Sequence, residues 1–113
     1  MNTKDRLREQ CERIADEISI GNYAMEDWEL EEWDEPCAAH YLSDALDMEY
    51  TVTGNFEYRG ARVCVALGGP NIYIDTRYNV VRGYWGGDSV EVPYSHDKLG
   101  VDAYCCERYD ASR

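Results

Sequence analysis

Apolar residues recur with helical spacing through the first twenty positions. Leu7, Cys11, Ile14, Ala15 and Ile18 fall at i, i+4, i+7, i+8 and i+11, and this unbroken stripe predicts an amphipathic helix over residues 3–20. Asn2 or Thr3 can cap its start, Gly21-Asn22 stops it, and Glu9 precedes Arg13 by four, the favourable order for a helical ion pair. Ala38, Leu42, Ala45 and Leu46, with Tyr41 beside them, predict a second helix. It opens at Pro36, has Asp34 or Glu35 near its positive end, and closes near Met48. Between these two, residues 23–35 fit a helix and, equally well, a loop or short helical turn, because like charges at Asp27/Glu31 and Glu31/Glu35 oppose a helix.

From Glu49 the period changes to two. Tyr50, Val52, Phe56 and Tyr58 share one face of an extended run, with Gly54 as a bulge and Arg59-Gly60 as the turn that follows. Val63, Val65 and Leu67 alternate with polar or small residues in the next strand. Gly68-Gly69-Pro70-Asn71 then turns the chain into Ile72–Thr76, Tyr78-Asn79 into Val80–Trp85, and Gly86-Gly87-Asp88 into Ser89–Val92. Tight turns between successive strands make an antiparallel meander. Ser95 caps a last helix over 96–109, with Leu99, Ala103 and Cys106 on its buried side and Gly100 weakening it. The expected fold is a single α+β domain over 1–113, with two N-terminal helices, a four- to five-stranded antiparallel meander and one C-terminal helix. Its acidic helical part is 1–48, its sheet and last helix are 49–113, and the helices cover one face of the sheet.

Charge sharpens this picture. Between Arg13 and Arg59 there is no lysine or arginine, yet thirteen carboxylates lie there. The densest stretch is Glu26-Asp27-Trp28-Glu29-Leu30-Glu31-Glu32-Trp33-Asp34-Glu35, with seven acids, two tryptophans and no base. Residues 1–50 hold fifteen acids against four bases (−11), and residues 51–113 hold eight against seven (−1), which together give the net charge of −12. The acidity therefore belongs to one region. Such a region repels phosphates, which argues against direct nucleic-acid binding and for a cationic partner. Ten tyrosines and three tryptophans against one phenylalanine suit half-buried surfaces and interfaces. The charged first twenty residues, the lack of a long apolar run and the odd count of five cysteines predict a cytoplasmic protein with reduced thiols, Cys11 and Cys64 filling core space.

The motifs with catalytic or metal-binding lettering yield to plainer explanations. Consecutive Ser95-His96-Asp97 cannot adopt a hydrolase triad and read better as a helix cap. Cys37-x-x-His40 is half of a zinc spacing with no second spaced pair, and adjacent Cys105-Cys106 chelate one metal poorly. The glycine-rich segments lack a phosphate-loop spacing, and the acidic decapeptide lacks the alternating ligands and central glycine of a calcium loop. No catalytic residue, metal or other cofactor is expected.

The candidate site is the acidic, aromatic-bearing patch itself: Glu26, Asp27, Trp28, Glu29, Glu31, Glu32, Trp33, Asp34 and Glu35. In charge, size and this aromatic-rich acidic segment, the chain resembles the small acidic proteins of phages and mobile elements that mimic DNA and block host defence, the anti-CRISPR and anti-restriction proteins. That resemblance implies a function and no particular fold. The carboxylates would occupy sites where a nuclease complex, a Cas effector above all, grips phosphates, with Trp28 and Trp33 as desolvated anchors. It implies no turnover, no membrane and no direct nucleic-acid contact, for a monomer or homodimer. Three other readings stay open: an acidic module for an unrelated basic protein, a thiol enzyme using Cys37 or Cys105/Cys106, and inhibition by an aromatic sheet face (Tyr73, Tyr84, Trp85).

Overall fold

A computed structural model describes residues 2–113 as four helices and a five-stranded antiparallel sheet, an α+β domain. Helix α1 (Thr3–Ile20) has the expected bounds. The Asp5 amide donates to Asn2 Oδ1 at 2.8 Å, and Gly21 closes the helix in the left-handed conformation (φ 76°), its N–H on Glu17 O. All five stripe residues are buried. Helices α2 (Asp27–Trp33) and α3 (Ala38–Tyr41) follow, then β1 (Asp47–Val52), β2 (Tyr58–Ala66), β3 (Asn71–Asp75), β4 (Val80–Trp85), β5 (Asp88–Pro93) and α4 (Val101–Ser112).

The strands lie in sequence order, β1-β2-β3-β4-β5. Met48, Val63, Ile74, Val81 and Val92 are successive cross-strand partners, an apolar row across the whole sheet on the side the helices cover. Helix α1 packs on β4 and β5 because Gly83 leaves room for it. A Cβ at Gly83 would sit 2.7 Å from both Cys11 Sγ and Leu7 Cδ1. Helix α4 packs on β2, where Tyr109 meets the rings of Tyr50 and Tyr58 at 5.3 and 6.0 Å between centroids. The opposite face is polar and self-paired. There Tyr73, Arg82 and Glu91 are cross-strand partners, Arg82 Nε lies 3.1 Å from Glu91 Oε1, and the Arg62 guanidinium sits 3.7 Å above the Tyr73 ring centre.

Three sequence expectations need correction. The helix expected from Pro36 to near Met48 is only the single turn of α3. Ser43 Oγ donates to His40 O at 2.7 Å, Ala45 N–H closes on Leu42 O, and Leu46 N–H already joins the sheet at Cys64 O. The first strand therefore starts at Asp47, and its hairpin turns at 53–57 rather than at Arg59-Gly60. Thr53 makes this turn by accepting Asn55 and Glu57 amides on Oγ1, which leaves Phe56 exposed in the loop. Arg59 and Gly60 lie inside β2, and a Cβ at Gly60 would come 2.8 Å from Arg77 Cα.

The last helix starts five residues later than expected. Asp97, not Ser95, caps it: its carboxylate accepts the amides of Gly100, Val101 and Asp102, each at 2.9 Å, while Gly100 adopts φ 85°. The shifted start rotates the buried face to Val101, Cys105 and Tyr109. Ala103 is left exposed and Cys106 only half-buried, although Leu99 is buried as expected.

Candidate functional site

The acidic segment resolves into a helix. Glu26, Asp27 and Glu29 sit at the positive end of α2, where carboxylates are favoured, and the Glu26 amide donates to Glu29 Oε2 at 2.7 Å. The far end lacks this help: Asp34 and Glu35 lie at the negative terminus, and Asp34 stops the helix with φ 65°. A seven-residue helix with this charge is marginal alone, so its place depends on what holds it to the fold.

That hold is His40. Its Nε2 lies 3.1 Å from Glu29 Oε1, and its Nδ1 lies 2.8 Å from the Tyr23 hydroxyl. The same hydroxyl accepts the Cys37 amide at 3.2 Å and lies 3.1 Å from Cys37 O. The His40 ring stacks on Tyr23 at 5.7 Å and meets Trp33 at 5.3 Å, tilted by 55°. The side chains of His40 and Glu29 are 14% and 21% exposed, so this polar link is largely shielded from water. Burial pushes the Tyr23 phenol above its ordinary pKa, which keeps it a proton donor.

The nine candidate residues thus divide. Glu29 and Trp33 face inward onto His40 and fix the helix. Glu26, Asp27, Glu31, Glu32, Asp34 and Glu35 are exposed, and among the described residues none of these six forms an ion pair. Trp28, 65% exposed, stands among them with Leu30. Trp33, expected as a desolvated anchor for a partner, instead packs on His40, and no local spacing in the sequence marks His40 and Tyr23 as partners of the patch. One signal was available: His40 is the sole side chain between Arg13 and Arg59 able to carry positive charge.

The remaining candidates are placed as follows. Cys37 is bound to Tyr23 through its backbone, and Ser95 and His96 are exposed beside the Asp97 cap. All five cysteines are free. Burial pushes the Cys11 thiol up to about 11 and the Cys105 thiol up to about 12, which leaves both protonated and unreactive near neutral pH. Among the described residues no three His, Cys, Asp or Glu side chains converge as metal ligands, and no helix is long and apolar enough to cross a membrane. The aromatic trio of the sheet is split: Tyr73 and Tyr84 meet edge to face at 6.1 Å on the polar side, while Trp85 packs toward the core. No family model matches this chain, and neither a curated protein nor a solved structure does, so the reading of the site rests on its own residues.

Proposed function

We propose that the chain is an inhibitor that docks its acidic helix on the basic, nucleic-acid-binding surface of a host-defence nuclease complex. A Cas effector is the partner class to which the resemblance leads. One observation carries this reading: six carboxylates that form no ion pair among the described residues, and an exposed tryptophan, lie on or directly beside a helix that Glu29 ties to the body of the protein. A fixed array binds with a smaller loss of conformational entropy than a floppy acidic tail. Helix α2 spans roughly 10 Å and carries three free carboxylates, Asp27, Glu31 and Glu32, one per about 3.5 Å, on the scale of the phosphates along one DNA strand, about 3.4 Å apart. Opposite charges speed encounter and make binding fall with salt, while Trp28 and Leu30, desolvated on contact, supply affinity that resists salt. The mechanism is occlusion without turnover.

The test is plasmid interference in cells that each carry one defined CRISPR or restriction system, with and without this protein. Protection from a Cas system, relieved in vitro by excess target DNA, is the expected result. Replacing Glu31, Glu32 and Asp34 with their amides should weaken that protection while Glu29 keeps the helix in place. Undiminished protection by this triple variant would remove α2 from the mechanism. Protection only from a restriction system would redirect the proposal to anti-restriction mimicry. Binding to a basic protein that DNA does not compete would reduce the chain to an acidic interaction module.

A further inference from the structure

The polar link beneath α2 has room for one more proton than a neutral histidine supplies. Four contacts meet at the Tyr23 hydroxyl and the His40 ring. The Cys37 N–H donates to the hydroxyl oxygen at 3.2 Å, Cys37 O lies 3.1 Å from it, His40 Nδ1 lies 2.8 Å from it, and His40 Nε2 lies 3.1 Å from Glu29 Oε1. A carboxylate can only accept, so Nε2 carries a hydrogen toward Glu29. The hydroxyl owns a single hydrogen and cannot give it to Cys37 O and to Nδ1 together. With a neutral ring, Nδ1 is a bare acceptor and takes that hydrogen, which leaves Cys37 O out of the link. Cys37 O is not orphaned, because the Tyr41 N–H donates to it at 2.9 Å. With a protonated ring, Nδ1–H donates to the hydroxyl oxygen, the hydroxyl turns to Cys37 O, and all four contacts are made at once.

The groups around the ring favour the added proton. From α2 comes Glu29, and from the segments flanking that helix come Tyr23 and Cys37. From α3 comes Tyr41, whose ring lies 4.7 Å from that of Tyr23 and whose hydroxyl donates to Glu17 of α1 at 2.7 Å. Arg13 of α1 lines the same cleft as Tyr23, Tyr41 and Glu17, and from there to Arg59 the chain has no lysine or arginine. The carboxylates of α2 and its ends complete the surroundings. We propose that α2 is latched by a proton: when His40 takes it up, the Tyr23 hydroxyl swings from Nδ1 to Cys37 O and the helix is gripped by one more hydrogen bond. Loss of the proton loosens α2 without releasing it. Histidine is the side chain suited to this, since it ordinarily changes charge between about pH 5 and 8. The latch belongs to the fold and does not depend on what the helix binds.

NMR of the full chain at about pH 5.5 and pH 8 tests this, a range set by the chemistry of histidine. The chain has two histidines, and the exposed His96 serves as the internal reference for ring nitrogen signals. At the lower pH the His40 ring should carry hydrogen on both nitrogens, and at the higher pH on Nε2 alone. Amide exchange, corrected for its intrinsic pH dependence, should be about tenfold more protected at the lower pH for Leu30 and Asp34, whose N–H groups close α2 on Glu26 O and Leu30 O. The amides of α1 report global stability and should not follow. His40→Gln, which cannot take the proton, should abolish the difference. Tyr23→Phe, which removes the acceptor for Nδ1–H, should shrink it while the spectrum shows a folded chain. Equal protection of α2 at both pH values, a bare Nε2 at the higher pH, or an undiminished difference in His40→Gln would each overturn the latch.

Discussion

His40 Nε2 lies 3.1 Å from Glu29 Oε1, and this is the one polar contact between a carboxylate of the acidic decapeptide and a basic side chain among the described residues. The pair is shielded, bridged onward to Tyr23, and set against Trp33. Replacing His40 with alanine should therefore free α2 without unfolding the core. Hydrogen exchange at the amides of 30–33 should quicken by about tenfold or more, with a global loss of roughly 1–2 kcal/mol. Unchanged protection would mean that the helix is held by its own cap alone.

Phe56 is the sole phenylalanine, it is 64% exposed, and its φ is 63°. A left-handed backbone costs an L residue roughly 1–2 kcal/mol, less for asparagine. Phe56→Asn should thus stabilise the protein by about 0.5–1 kcal/mol in chemical denaturation. The loop is held by Tyr109, whose hydroxyl donates to Phe56 O at 2.6 Å. Tyr109→Phe should cost about 1 kcal/mol. If the asparagine variant is instead destabilised, the exposed ring packs on something that supports it.

Gly60 tolerates no side chain. An added Cβ would come 2.6 Å from Arg77 Cβ and 2.8 Å from its Cα, and backbone cannot step aside as a flexible side chain can. Gly60→Ala should lower stability by about 1–3 kcal/mol, read from the denaturant midpoint. Gly54→Ala is the control, since a Cβ there meets nothing within 4 Å.

Alkaline pH should unfold the protein through its thiols. Cys11 is raised from 9.0 to about 11 and Cys105 from 9.0 to about 12, both by burial. Below pH 9 both are protonated in either state, so the stability of the neutral buried forms is fully present. Above it the unfolded chain ionises first, the native state binds more protons, and stability falls by up to roughly 1.4 kcal/mol per pH unit for each thiol. Denaturant midpoints between pH 7 and 10.5 should be level and then decline from about pH 9. The decline should be shallower in Cys105→Ala.

Where the sequence was legible, one periodic signal had no competitor. The α1 stripe, bounded by Asn2 and Gly21, is such a case, and so are the turns at Gly68–Asn71 and Tyr78-Asn79 that set the meander. Errors arose where a polar side chain captured backbone. Ser43 helped end α3, Thr53 moved the first hairpin, and Asp97 displaced the start of α4. The acidic patch was visible as composition, but its internal division was not. Glu29 and His40 are eleven residues apart, Tyr23 and His40 seventeen, and no local pattern joins them.

The self-paired charges on the open face of the sheet have a physical consequence for the whole molecule. Arg62 and Arg82 nearly cancel their partners Glu49, Asp75 and Glu91, whereas residues 1–50 hold −11 of the net charge of −12. The protein is an electric dipole. In the field of a basic surface it experiences a torque before it touches anything, and collisions are biased toward the approach that leads with the helices.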